Sequence, residues 1–250
     1  MSAAVSERRP LAAPTVLFLV AVAGVCWAVT VERMRGMDMG PGTALGSFGW
    51  FAVVWATMMA AMMLPSVSPM AVASSRVSGG GEARSLARAV AFAVGYLLSW
   101  AAFGVLAYAL VDGVRSFDLG FLAWNRAGRY LAGGVVLFAA LYEFTAAKGR
   151  CLQHCRDVRL LRTRESALMM GVEQGGYCVG CSGALMAALF ALGVMSTAWM
   201  LVIAAVVAIE KLLPWTAIAI GVAAAALAVL GAAIMIAPAH VPWLTIPMSM

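Results

Sequence analysis

Four of the five cysteines form two close pairs that could bind a metal ion. Cys151 and Cys155 are four residues apart with His154 between them, and Cys178 and Cys181 are three residues apart. On a helix, either spacing places both thiols on one face. Thiolate and imidazole ligands suit Cu(I) or Zn(II), so the pairs predict a copper(I) site, with zinc as the alternative metal. Buried apolar cysteines and a redox pair of dithiols are the other two interpretations.

Methionines form the second candidate cluster. At about 100° per residue, five of them lie within an arc of about 140° on one side of a helix. A thioether is a soft, uncharged ligand that can bind Cu(I) in a bilayer without the desolvation cost of a carboxylate. The alternative is a flexible apolar filler of the core. The five are Met58, Met59, Met62, Met63 and Met70.

A third cluster follows the first apolar run. Met34, Met37 and Met39 surround Asp38 in a short connection. We expect these methionines to be exposed to water, where no core needs filling. Their spacing therefore predicts a capture site for a soft metal ion outside the membrane.

Polar groups accompany the second cysteine pair. Glu173, Gln174 and Tyr177 precede Cys178 within one apolar run. Intramembrane ionisable groups are candidates for function, so Glu173 is predicted to balance a bound cation or to carry a proton. A helix-start position at the membrane surface is the alternative for this carboxylate.

Two further charged groups interrupt the apolar runs. Glu210 is predicted to face another helix, whereas the adjacent Lys211 is predicted to extend its ammonium group toward the membrane surface. Glu143 and the basic segment 148–164 are predicted to form a solvated rim that faces lipid headgroups.

Composition indicates the elements that must position these groups. Of the 250 residues, 64% are apolar and 11% are charged, which leaves too little polar surface for a water-soluble protein. Unbroken apolar runs exclude a transmembrane β-barrel. We therefore predict an all-α, polytopic transmembrane bundle that forms a single domain over residues 1–250. Seven spans are expected, with six plus a re-entrant segment as the alternative, at about 11–31, 48–73, 86–111, 128–147, 166–193, 197–213 and 214–236.

The distribution of Lys and Arg predicts the orientation. With seven spans, twelve of these residues lie on the side of the N-terminus and five on the other. The positive-inside rule then places the N-terminus on the cytoplasmic side of the membrane. The net charge of +6 comes largely from one loop, so nucleic acid is not an expected partner. The lipid bilayer is an expected partner, and a homo-oligomer is an open alternative.

Small residues at helical spacing predict close helix packing. Gly171, Gly175, Gly176 and Gly180 lie in the fifth apolar run. Without side chains, they would let neighbouring backbones approach one another.

Together, four segments resemble a known bacterial family. The segments are residues 55–70, with the sequence Ala-Met-Met-Leu-Pro-Ser, residues 142–156, residues 171–186 and Glu210-Lys211. They resemble the "predicted metal-binding integral membrane protein" family, a domain of unknown function, over about residues 48–214. The resemblance implies a polytopic membrane protein that binds metal. This chain has Ser182 and Gly183 where family members often have a further Cys or a Trp.

Three soft-ligand clusters in order across a membrane predict copper(I) handling. Uptake, membrane storage and delivery to a cuproenzyme all fit, and a metallochaperone or cuproenzyme is the expected partner. No nucleotide-binding P-loop or phosphorylatable Asp-Lys-Thr-Gly motif occurs, so any transport must run downhill or through a partner. A non-enzymatic role is favoured, with an enzyme left open. A membrane thiol-disulfide oxidoreductase that uses a quinone is one alternative, and an assembly scaffold without metal is another.

Overall fold

Helices account for the secondary structure of the part of the chain that the structure describes. A computed structural model describes residues 12–35, 46–76, 81–116, 127–158, 166–192, 196–212, 216–238 and 241, and it has no β-strand in these ranges. The all-α prediction agrees with this. The helices in these ranges are α1 (Ala12–Met34), α2 (Phe48–Arg76), α3 (Glu82–Ser116), α4 (Arg129–Tyr142), α5 (Ala146–Arg156), α6 (Ala167–Leu192), α7 (Thr197–Leu212) and α8 (Thr216–Ile236).

Five of these helices are long and apolar enough to cross a membrane. They are α1, α2, α3, α6 and α8. Helix α7 has 16 residues, fewer than the roughly 20 that span a bilayer. Large apolar side chains also lie on the outer surface: Leu17, Leu106 and Ile236 are 71%, 70% and 81% exposed. Many exposed apolar side chains of this kind are typical of contact with lipid or with another protein.

The fourth predicted span is broken rather than straight. Helix α4 ends at Tyr142, and α5 leaves it at an angle of 67°, so the pair is one broken span or a re-entrant segment. Thr145 starts α5 from an extended backbone conformation, and its hydroxyl accepts a hydrogen bond from the Lys148 backbone N–H at 3.2 Å. A threonine in this position is a typical N-cap, so the new helix begins where the apolar run alone predicts continuation.

Helix α2 is the most buried of the candidate spans. In its most apolar window, 72% of the residues are buried, against 22% in α1, so α2 is the central helix. The Trp55 indole N–H donates to the Trp100 carbonyl at 2.8 Å, which joins α2 to α3. Helix α2 continues through Pro65 and Pro69. The Ser68 hydroxyl donates at 2.8 Å to the Pro65 carbonyl, which the missing N–H of Pro69 leaves open.

Glycines allow α3 and α6 to pack backbone against backbone. A Cβ added at Gly171 would collide with the Phe92 carbonyl of α3, and one added at Gly95 would collide with the Leu168 carbonyl of α6. A Cβ added at Gly175 would lie 2.7 Å from the Tyr96 carbonyl and from Ser99 Cβ, which is also too close. The prediction of close backbone packing is confirmed at Gly171 and Gly175. It is wrong at Gly176, because a Cβ there would meet nothing within 4 Å.

Candidate metal centre

Three thiols from two helices converge in the core. The Sγ atoms of Cys155 on α5 and Cys181 on α6 are 3.7 Å apart, and Cys178 lies about one helical turn before Cys181 on α6. All three residues are buried, and all are free thiols. Because α5 packs against α6 after the 67° bend, one cysteine of the first pair meets the second pair.

Two donors from other helices hold the sulfur of Cys178. The Tyr96 hydroxyl of α3 donates to Cys178 Sγ at 2.8 Å, and Lys211 Nζ of α7 donates to the same atom at 2.8 Å. An ammonium group and a hydroxyl that both donate to one sulfur stabilise its thiolate form. The prediction that Lys211 extends to the membrane surface is wrong, because the residue is only 9% exposed. The ammonium group of Lys211 pairs with the sulfur of Cys178 inside the protein and so does not extend to the membrane surface.

Cys181 and Cys151 have other surroundings. Cys181 Sγ lies 3.3 Å from the Cys178 carbonyl and 3.3 Å from Ser182 Oγ. Cys151 is half-buried and lies against Gly180, where an added Cβ would be 2.7 Å from its Sγ. Gly180 thus leaves space on α6 for the thiol of Cys151.

His154 lies at the half-buried edge of this cluster. Its ring stacks on Tyr177, with ring centroids 3.6 Å apart and planes 22° from parallel, and it interacts electrostatically with Glu173. In the described part of the chain, no group of three or more His, Cys, Asp or Glu side chains is arranged to hold a metal ion. The cluster therefore offers thiolates in pairs and not a closed cage.

Gln174 and Glu210 are both buried, but in different settings. Gln174 is 2% exposed, and no donor among the described residues reaches its Oε1. Glu210 is 1% exposed and accepts from Lys148 Nζ at 2.9–3.0 Å. The prediction that Glu210 faces another helix agrees with this contact to α5.

The predicted solvated rim is wrong for Glu143 and Lys148, whereas Arg150 of the same segment is exposed. Glu143 and Lys148 are 3% and 0% exposed, and Lys148 Nζ also forms an ion pair with Glu143 Oε2. The bend after α4 turns this segment into the protein, so charges that a straight span would carry to the surface pair inside. The sequence signal for this buried ion pair was a lysine and a glutamate at the end of an apolar run. Nothing in the sequence indicated the role of Tyr96 beside Cys178, because a tyrosine in an apolar run is ordinary.

The methionines of α2 belong to the same contiguous core as the three buried cysteines. All five are buried, as both a ligand role and a packing role require. The expectation of exposure is wrong for Met34, which ends α1 and is 5% exposed. Met37 and Met39 lie outside the described residues. The five buried methionines of α2 are Met58, Met59, Met62, Met63 and Met70.

Comparison with known proteins places the chain in a family. The model of a family described as a copper chaperone, PpoB2, matches residues 52–234. The chain belongs to this family. The matched region contains the α2 methionines, the thiol cluster and Lys211, whereas α1 and the segment with Met37 and Met39 precede it. No curated protein and no solved structure matches the chain.

Proposed function

We propose that this member of the PpoB2 copper chaperone family is a membrane protein that holds Cu(I) at the thiols of Cys155, Cys178 and Cys181. The observation that carries the proposal is the convergence of these thiols, with Cys155 and Cys181 at 3.7 Å. Soft thiolates are preferred ligands of Cu(I), and a pair of them is sufficient to bind it. A small movement of one side chain would place a copper ion between two sulfurs.

The charge of Lys211 supports a monovalent cargo. A Cu(I) ion between two thiolates carries one negative charge, which is costly in a buried site unless it is paired. Lys211 already lies 2.8 Å from Cys178 Sγ and supplies the opposite charge. The bound complex and its lysine are then neutral together.

The donor set favours copper over zinc. Structural zinc sites have four protein ligands in a tetrahedron. Among the described residues, no group of three or more His, Cys, Asp or Glu side chains could hold one metal ion. A metal that two sulfurs can hold fits this arrangement better.

The remaining soft ligands are proposed to serve entry and transfer. The five thioethers of α2 share one buried core with the thiols, so they offer weaker positions from which Cu(I) moves to thiolates. Met34, Met37 and Met39 would capture the ion first. Cys151 and His154, at the half-buried edge, would exchange it with a metallochaperone or a cuproenzyme.

The proposed location is a bacterial inner membrane with the N-terminus in the cytoplasm. Five helices that can cross a membrane, and a sixth span if the bent pair counts as one, support a multi-pass protein. The excess of Lys and Arg on one side supports the orientation. We propose a single membrane domain, in which α7 completes the bundle without being required to span it alone.

Copper content tests the function. The full chain is purified in detergent under anaerobic, reducing conditions, loaded with Cu(I), desalted and analysed for copper per chain. Wild type is expected to retain copper, and Cys178→Ser is expected to lose most of it, because a hydroxyl is a poor ligand for Cu(I). Cys26→Ser, which changes a thiol on α1, is the matched control and should retain wild-type copper.

Met62→Leu separates transfer from storage in the same assay. Leucine conserves volume and removes the thioether, so the fold and the final copper content should stay while loading becomes slower. Wild type without copper, or equal copper in wild type and Cys178→Ser, contradicts the proposed function. Copper-free protein whose cysteines cycle between dithiol and disulfide would favour the oxidoreductase.

A further inference from the structure

A second buried cluster, separate from the thiols, has one more negative charge than positive. Lys148 Nζ of α5 contacts the carboxyl groups of Glu143, at the α4–α5 bend, and Glu210, on α7. The side chains of Lys148 and Glu143 are 0% exposed and that of Glu210 is 2% exposed. One ammonium group cannot neutralise two carboxylates, and an uncompensated buried charge is costly.

The geometry of the two carboxyl groups indicates where the compensation lies. The carboxyl groups of Glu143 and Glu210 both contact the same Lys148 Nζ, so they lie close together. Two carboxylates this close repel each other, and protonation of one of them removes the repulsion. In addition, no donor among the described residues reaches Glu143 Oε1, although it is buried. This oxygen is therefore available to carry a proton.

The nearest cations in sequence make other contacts, and Arg150 of α5 is exposed and donates its Nε–H to the Ala146 carbonyl at 3.3 Å. Lys211 is next to Glu210 in sequence, but its Nζ donates to Cys178 on α6. On α6, the charged group is Glu173, which interacts with His154 of α5 at the half-buried edge. Helix α8 packs against α4 and has no titratable side chain between residues 216 and 236. Tyr142, beside Glu143, donates its hydroxyl to the Gly180 carbonyl at 2.6 Å.

We propose that Glu143, Glu210 and Lys148 form a buried proton-binding site. The proton comes from water and adds to a carboxylate oxygen of Glu143 or Glu210. The resulting O–H donates to the other carboxylate, and Lys148 balances the one negative charge that remains. Glu210 is one residue from Lys211 along α7, but the two side chains contact different helices, so the site is separate from the thiol cluster.

Infrared spectroscopy of the copper-free, full-length protein in detergent tests this site. A protonated carboxylic acid has a C=O stretching band that carboxylates lack and that shifts in deuterated water. At neutral pH, wild type is expected to show such a band. Glu143→Gln and Glu210→Gln should each abolish it, because either variant leaves one carboxylate for one ammonium group. Glu32→Gln, which changes an exposed carboxylate, is the control and should keep the band.

The pH dependence of thermal unfolding gives a second readout. A proton bound in the folded state but released on unfolding makes stability fall as pH rises above the usual range of a carboxyl group. Both Gln variants should flatten this slope, and Glu32→Gln should not. A wild-type protein without the band at neutral pH overturns the proposal, and so does a band that survives in both Gln variants. Neither outcome depends on whether the thiols bind copper.

Discussion

At the residue scale, the chemistry depends on the surroundings of one sulfur. Cys178 receives hydrogen bonds from a phenol on α3 and an ammonium group on α7, both at 2.8 Å. Its neighbour Cys181 lies instead near a backbone carbonyl and a serine hydroxyl. Two cysteines three residues apart therefore have different surroundings: Cys178 receives two donors that stabilise a thiolate, whereas Cys181 lies 3.7 Å from Cys155 Sγ.

Replacing Lys211 tests this charge pairing. Lys211→Met removes the ammonium group and leaves the negative copper–thiolate complex unpaired. Removing one partner of a buried ion pair costs about 3–5 kcal/mol. We expect Cu(I) affinity to fall at least about tenfold, which corresponds to about 1.4 kcal/mol. Competition against a coloured Cu(I) chelator measures it.

Lys211→Arg is the matched variant for this measurement. It keeps the charge and changes the shape of the donor, so it should retain more copper affinity than Lys211→Met. Equal affinity in Lys211→Met and wild type would show that the lysine does not balance the bound complex.

The residues of the site were predictable where spacing carries information. Cys151, Cys155, Cys178 and Cys181 stand out because pairs at helical spacing can share a face. Tyr96 was not predictable, because its contact with Cys178 joins positions 82 residues apart. Such a contact depends on how two helices pack, which one sequence does not reveal.

At the scale of elements, two features bring the site together. The first is the bend after α4, which turns the helix of Cys155 back toward α6. The second is the glycine contact between α3 and α6, which places Tyr96 beside Cys178. Each feature positions one wall of the thiol cluster.

Gly171→Ala tests the glycine contact. The added methyl group would collide with the Phe92 carbonyl, which is backbone and cannot rotate away. Overpacking of this kind costs about 1–3 kcal/mol, so the thermal unfolding midpoint in detergent should fall.

Gly176→Ala is the control on the same helix. Gly176 is exposed, and a Cβ there would meet nothing within 4 Å, so the variant should gain up to about 1 kcal/mol of helix propensity. A Gly171→Ala protein as stable as the Gly176→Ala protein would contradict the close packing of α3 and α6.

Most helix positions followed from the apolar runs. The predicted spans 48–73 and 166–193 correspond to Phe48–Arg76 and Ala167–Leu192. The prediction of one straight span over residues 128–147 was wrong, because hydropathy reports how apolar a segment is and not whether it bends. The N-cap residue Thr145 was the local signal for the bend.

At the scale of the whole molecule, polar chemistry lies inside an apolar bundle. The outer surface carries exposed apolar side chains, while two polar clusters are buried among the helices. The cluster around Lys148 joins the bend after α4 to α7. The thiol cluster joins α6 to α7 through the contact of Cys178 with Lys211. Composition predicted the apolar exterior, but it could not predict this interior, because the pairing of distant charges arises only from the fold.

X-ray absorption at the copper edge tests the central claim most directly. The account predicts that copper bound to the full chain is Cu(I) with sulfur ligands only. It also predicts that Cys178→Ser changes this sulfur coordination, whereas Cys26→Ser does not. Copper coordinated by nitrogen or oxygen, or a spectrum that is the same in wild type and Cys178→Ser, would contradict it.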